Sequence, residues 1–344
     1  MQEADVVVVG AGVMGAAVAW RLARRGREVV VVEQFDLCHD KGSSHGAVRV
    51  FRFSYDDPTY VQMAMDALPL WRELEDETDG PILTVTGGYD FGPPERLELN
   101  ARALASRGAS FEMIDGAEVA RRFPGVMLQA SAPVLYQEDA GVLAAEGALQ
   151  AFVKGAVDAG AELRERTPVI GLRPSQESVD VLTPGETYRA RVAVITAGPW
   201  ARPLLAGARI DLPVVTSQET VAFFRGPEEP PLPVLVEWSS PPTYALPSPE
   251  RGVKVGWHRS GPEADPDSKT PPDRRVLDHL SAWAAEHYPR AAFEHAETCM
   301  YTNTPDESFI LERHGRVVVG SACSGHGFKF APLVGERLAA LALG

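Results

Sequence analysis

The chain is poor in cysteine, poor in positive charge and free of any long apolar run. Its 344 residues include three cysteines, Cys38, Cys299 and Cys323. That is too few, and odd in number, for a disulfide framework, which points to a reducing compartment, the cytoplasm by default. Lysine and arginine number 33 against 47 aspartates and glutamates, a formal net charge of -14. This balance excludes nucleic acid as the partner, so any anionic ligand must be held by a local group of cations. The eight histidines are scattered, and no Cys or His pair has metal-ligand spacing, so no metal is expected. The apolar stretch from Val6 to Trp20 could be mistaken for a leader. Glycines interrupt it, Glu3 and Asp5 precede it where a signal peptide is positive, and it is shorter than the roughly 20 apolar residues that span a bilayer. No membrane partner is expected.

What is present suits a soluble protein of two domains: 45% of residues are hydrophobic and 23% charged, enough for a sizeable core. The segment "ADVVVVGAGVMGAAVAWRLARRGREVVVVEQFD" reads as a βαβ unit. Strand Val6 to Val9 leads into a glycine turn, a helix to about Arg25, and a second strand, Val29 to Val32. Gly10, Gly12 and Gly15 fit the dinucleotide spacing: a tight turn, close approach to a pyrophosphate, and helix packed on strand. The helix N-terminus then offers free N–H groups and a favourable dipole to phosphate. Glu33 closes the second strand, where a carboxylate can accept hydrogen bonds from a ribose diol.

Two later segments repeat a strand running into a helix start. "RVAVITAGPWARPLL" ends its strand at Thr196, Ala197 and Gly198; near the C-terminus, strand Val317 to Val319 leads through Gly325, His326 and Gly327 to a helix from about Ala331. Open α/β sheets bind ligands at such carboxyl ends. The nucleotide domain is therefore expected to be discontinuous, built from residues 1–80, 145–215 and 300–344. Proline-rich alternating segments between these pieces predict an antiparallel sheet with one wet face, a substrate domain of residues 81–144 and 216–299. The fold class is α/β plus α+β, a Rossmann-like nucleotide domain of the glutathione-reductase type with a second, antiparallel-sheet domain.

Three further patterns carry charge or a thiol. In "DKGSSHGAVRVFRFSY", Arg49 and Arg52 would share a face on a helical turn, although spaced arginines are commonly solvated. In the strand "GVKVGWH", Val253, Val255 and Trp257 line one face and Lys254, Gly256 and His258 the other. Lys254 is then either a solvent-face residue or a fixed charge inside a cavity. Cys299 lies in "TCMYTNTPDESFIL"; a free cysteine there is most simply a small buried hydrophobe.

Together "GAGVMG", "GSSHGAVRVFR", "KVGWH", "CMYTNTPDE" and "GHGFKF" resemble, over essentially the whole chain, the monomeric sarcosine oxidase and N-methyl-L-tryptophan oxidase family of D-amino-acid-oxidase-like flavoenzymes. The resemblance implies FAD as cofactor, joined through its 8α carbon to Cys299 as a thioether. It implies a cofactor site of Val13, Met14, Gln34, Ser43, Ser44, His45, Arg49, Val169, Ala197, Gly198, Trp200 and Met300 beside the fingerprint residues. The turn Gly325, His326, Gly327, Phe328, Lys329 would present its N–H groups to the flavin pyrimidine oxygen. Arg52 and Lys329 match the pair that binds the substrate carboxylate, and Tyr244 and His258 match residues around the substrate. Arg49 and Lys254 match basic groups on opposite sides of the flavin ring, and with Tyr244 and His258 form the implied catalytic set.

The implied reaction is oxidation of a small anionic secondary amine, such as sarcosine or N-methyl-L-tryptophan, by O₂ in a monomeric enzyme. An imine forms and hydrolyses to the primary amino acid and formaldehyde, with hydrogen peroxide as second product. A cyclic secondary amino acid such as pipecolate, or a biosynthetic intermediate, is the alternative substrate; a flavin-binding protein without turnover is the non-enzymatic reading. Two departures stand out. Val48 replaces a polar threonine, and Tyr244 lies one residue closer to the lysine, implying a shortened turn around Pro249.

Overall fold

The computed structural model describes residues 1–78, 80–226, 232–248 and 252–344. Val6 to Val9 form a strand because β-branched side chains suit extended backbone, and all four are buried because the sheet is covered on both sides. Val6 and Val8 pack with Trp20, Phe152 and Leu338 on one face, Val7 and Val9 with Ile195 and Leu205 on the other. The full strand, Gln2–Val9, runs parallel to Val29–Val32 on one side and Thr187–Ile195 on the other. Glu162–Arg164 and Val317–Ser321 extend the parallel array. Gly171–Pro174, Val179–Leu182 and Ile310–His314 join antiparallel to complete eight strands. Helices Val13–Arg24, Ala145–Asp158 and Ala331–Leu343 cover the first face. The expected βαβ unit, the strand before Thr196 and the helix from Ala331 are all found.

A second eight-stranded sheet runs in the order Ala292–Asn303, Val215–Arg225, Val253–Trp257, Thr243–Pro247, Val234–Glu237, Gly88–Phe91, Pro133–Gln137, Glu112–Asp115. All its pairs are antiparallel except Val234–Glu237 with Gly88–Phe91. Among the described residues the expected wet face is found at the edge strand, where His295 is exposed and Glu297 partly so. Val253 and Val255 pack under helix Arg274–His287 with Val276, Leu280 and Trp283. The opposite face, carrying Lys254, Tyr244, Leu246 and Cys299, closes over a cavity. The alternation of polar and apolar residues was real, but at the central strands the polar side meets an internal site rather than solvent. The expected turn around Pro249 lies outside the described residues.

Val48–Phe51 is a strand, paired antiparallel with Gly141–Ala144, which also pairs with Leu83–Val85. This overturns the helical placement of Arg49 and Arg52: Val48, Val50 and Phe51 favour extended backbone, and Arg52 follows the strand's end. Among the described residues no helix is long and apolar enough to cross a membrane, and no cluster of His, Cys, Asp and Glu could hold a metal.

Candidate active site

A cavity of about 970 Å³ runs between the two large sheets, from Glu33 at the end of Val29–Val32 to Trp238 beyond Val234–Glu237. Its first part is built by the fingerprint turn. Gly10 has φ +96°, and a Cβ on Gly15 would stand 1.9 Å from the Gly10 carbonyl oxygen, so helix and strand approach as closely as they do only because both are glycine. Glu33 accepts hydrogen bonds from Ala11 N–H at 2.8 Å and Phe35 N–H at 3.0 Å. Burial alone would raise its pKa, but these bonds and His39 outweigh it, and the carboxyl is held below its usual range. Ser44 Oγ accepts from Val13 N–H at 3.0 Å, capping the helix Val13–Arg24.

In the middle of the cavity stand two cations and a thiol. The Arg49 guanidinium donates to the carbonyls of Val48 at 2.9 Å, Ser43 at 3.1 Å and His45 at 2.5 Å, and lies 5.6 Å over the Phe328 ring. Lys254 is 4% exposed, on a central strand, with Nζ 3.5 Å from the Val48 carbonyl. Burial first, then the Arg49 charge, pulls its ammonium down to about 8. The Cys299 thiol is pushed up by burial, with Arg49 and Lys254 pulling the other way. Two desolvated cations side by side favour an occupant that carries or develops negative charge. Tyr244 lies across Gly256, where a Cβ would come within 2.4 Å of its ring; burial pushes its hydroxyl up to about 12.

The far end holds the other pair of cations. Arg52 and Lys329 both lie over the Tyr55 ring, at 4.8 and 5.4 Å, and Arg52 also lies over the Trp238 ring at 5.1 Å. Lys329 Nζ donates to Tyr55 Oη at 2.8 Å and to the His326 carbonyl at 2.9 Å. Burial, then Arg52, holds Lys329 well below the ordinary lysine range. His326 Nε2 is 3.0 Å from the Glu307 carbonyl, which can only accept, so Nδ1 is left to accept from Tyr55 Oη at 3.3 Å. Burial, followed by Lys329, pushes the His326 imidazole down to about 3 and keeps it neutral. His258 contacts Glu307 at 3.4 Å, and that bond, with Arg259, holds the Glu307 carboxyl near 2 against burial. Gly325 has φ +76°, and a Cβ there would stand 2.2 Å from Tyr301 and 2.7 Å from His258.

Of the residues picked from sequence, Gly10, Gly12, Val13, Met14, Glu33, Gln34, Ser43, Ser44, Val169, Ala197, Gly198 and Trp200 line the cavity, as do Arg49, Arg52, Tyr244, Lys254, His258, Cys299 and the turn Gly325 to Lys329. Val48 lines it too. Gly15, His45 and Met300 do not. Gly15 packs inside the turn, while His45 and Met300 line a separate cavity of about 90 Å³ that shares Cys299 as a wall. Tyr55, Tyr60, Trp238, Tyr301 and Glu307 were missed. Tyr301 was legible, since it lies two residues beyond Cys299 on the same strand and hence on the same face.

The first part of the cavity fits FAD on its own evidence. Ser43 Oγ is buried without a partner among the described residues and lines the same cavity as Gly12 and Val13, an acceptor-seeking hydroxyl. Comparison with known proteins agrees. The family described as FAD dependent oxidoreductase (DAO) matches residues 5–341. Monomeric sarcosine oxidase of Streptomyces avermitilis is 35% identical over 98% of this chain and 93% of its own length. Human peroxisomal sarcosine oxidase is 34% identical over 98% of this chain and 92% of its own. Among solved structures, the open form of NikD, an unusual amino acid oxidase essential for nikkomycin biosynthesis, superposes with a TM-score of 0.89 at 30% identity, covering 100% of this chain and 94% of that one.

Proposed function

Since the chain belongs to the family of FAD-dependent oxidoreductases and oxidises CH–NH bonds of amino-acid-like substrates, we propose that its substrates are N-methyl amino acids recognised by their carboxylate. Each turnover converts the N-methyl amino acid, O₂ and water into the primary amino acid, formaldehyde and hydrogen peroxide. The observation that carries this reading is the pair of cations, Arg52 and Lys329, both over the ring of Tyr55 inside the cavity. Charge-assisted hydrogen bonds from two desolvated cations are the strong kind for a carboxylate. That is how a chain of net charge -14 holds an anion.

Bound FAD supplies the two-electron oxidant and is regenerated by O₂. Gly10, Gly12, Glu33, Ser43 and Ser44 would hold its nucleotide part, and Cys299 its covalent link. Arg52 and Lys329 anchor the substrate carboxylate, which places the methylated nitrogen toward Tyr244 and His258. Tyr55 and Trp238 wall off water around the anchored group, strengthening its ion pairs. His258, tied to Glu307, is restrained at the edge of the same space. Lys254 contributes a fixed positive charge where negative charge develops when O₂ is reduced.

Peroxide and formaldehyde release from a panel of amines tests the substrate reading. Sarcosine or N-methyl-L-tryptophan should yield both products in equal amounts. Turnover confined to pipecolate or other cyclic secondary amino acids, with peroxide but no formaldehyde, would replace the reading with its cyclic alternative.

A further inference from the structure

Behind Arg52 lies a buried polar group that no step above uses. Asp90 sits on strand Gly88–Phe91 between Tyr89 and Phe91, which point into the opposite core. Asp90 is 4% exposed, and its neighbours Ser54 and Asn100 are 1% and 0% exposed. The Asp90 carboxylate accepts from Ser54 Oγ, and from Asn100 Nδ2 at 3.4 Å; the same amide reaches Ser54 Oγ at 3.1 Å. Neutral donors alone do not offset the burial of a carboxylate, which calls for a counter-charge. Among the described residues its one ion-pair partner is Arg52, with Nη1 3.9 Å from Oδ2. None of Asp90, Ser54 and Asn100 lines the cavity, whereas Arg52 does.

The contact has a particular form. At 3.9 Å it is an ion pair too long to be a hydrogen bond, and Arg52 Nη1 is buried with no hydrogen-bond partner among the described residues. The rings of Tyr55 and Trp238 both lie against the guanidinium, 4.8 and 5.1 Å from its central carbon. A ring face attracts the cation as a whole and does not select which N–H edge points toward the cavity. A carboxylate beside Nη1 does select, because it attracts that edge.

We propose that Asp90 is a positioning residue: held by Ser54 and Asn100, it draws one edge of the Arg52 guanidinium backward and so presents the other edge to the substrate carboxylate. The proposal rests on the carboxylate-anchoring reading above. Arg52 enters the encounter already oriented, and the ordering cost that binding would otherwise carry falls.

The test compares wild-type holoenzyme with Asp90→Asn, which keeps shape and removes the charge. Calorimetric titration with benzoate, a carboxylate without an amine, reads the anchor at equilibrium. Asp90→Asn should raise the benzoate Kd and the KM of the best N-methyl amino acid about tenfold while kcat stays within about twofold. It should leave kcat/KM for N-methylbenzylamine, which has no carboxylate, as in wild type, and Asp90→Glu should recover part of the loss. A benzoate Kd that is unchanged or tighter in Asp90→Asn overturns the proposal, as does an equal loss with N-methylbenzylamine. Should Asp90→Asn not fold, Ser54→Ala decides: it keeps the charge but loosens its support, so the benzoate Kd must still rise, and an unchanged value overturns the proposal. A wild type that binds benzoate but oxidises no N-methyl amino acid defeats the substrate reading alone. A wild type that binds no benzoate defeats both.

Discussion

At the scale of single residues, Lys254 has the plainest consequence. Its pKa is lowered to about 8 by burial and then by Arg49, so its charge is present below about pH 8 and lost as pH rises through that value. If the charge assists the reaction with O₂, the reoxidation rate constant of the reduced enzyme should fall through that range. Lys254→Met should slow reoxidation on the order of 10²-fold at neutral pH and flatten the profile, with reduction by substrate much less affected. Stopped-flow mixing of reduced enzyme with oxygenated buffer measures both, and a Met variant that reoxidises at the wild-type rate removes the role. Cys299 gives a second residue-scale expectation. Acid precipitation should leave flavin in the wild-type pellet and release it from Cys299→Ala; free flavin from wild type would exclude the bond. The sequence pattern marked both residues, but it could not say whether Lys254 met solvent or a cavity. Burial settles that, and it depends on strand Val253–Trp257 lying between Val215–Arg225 and Thr243–Pro247.

Among the elements, glycines set how closely the parts approach. The fingerprint turn was legible because its contacts are local: Gly10 and Gly15 meet within one βαβ unit. Gly256 was not, because its neighbour is Tyr244 on the adjacent strand, paired with it in register. A Cβ on Gly256 would come 2.4 Å from the end of the Tyr244 side chain, so the ring must move while the strands need not. Gly256→Ala should therefore fold with a Tm near wild type and lose about tenfold in kcat/KM, the scale expected when a group shaping the pocket is displaced. Thermal melting and steady-state kinetics on one preparation check this, and full activity would show that Tyr244 does not shape the pocket. The expected wet face of the second sheet failed at its central strands for a related reason. Alternation alone left Lys254 open between solvent and a cavity, and only the pairing of two sheets over one cavity turns its face inward.

For the whole molecule, the central feature is that distant parts of the chain converge on one pair of cations, Arg52 and Lys329. Lys329 and Tyr55 are joined by a hydrogen bond across 274 residues of sequence, and Asp90 reaches Arg52 from another sheet. Local patterning placed the βαβ unit and the helix from Ala331, since each is set by its own side chains, but it misplaced the Val48–Phe51 strand. Convergence of this kind is not legible that way, and the pairing of Arg52 with Lys329 came only from family resemblance. The most direct test is anaerobic reduction of the enzyme-bound flavin by sarcosine in wild type, Arg52→Met, Lys329→Met and the double variant. The wild-type bleaching rate should saturate with sarcosine, each single variant should need about 100-fold more substrate for half-saturation, and the double variant should show less than the product of the two losses. Bleaching with the wild-type concentration dependence in either single variant would contradict the account.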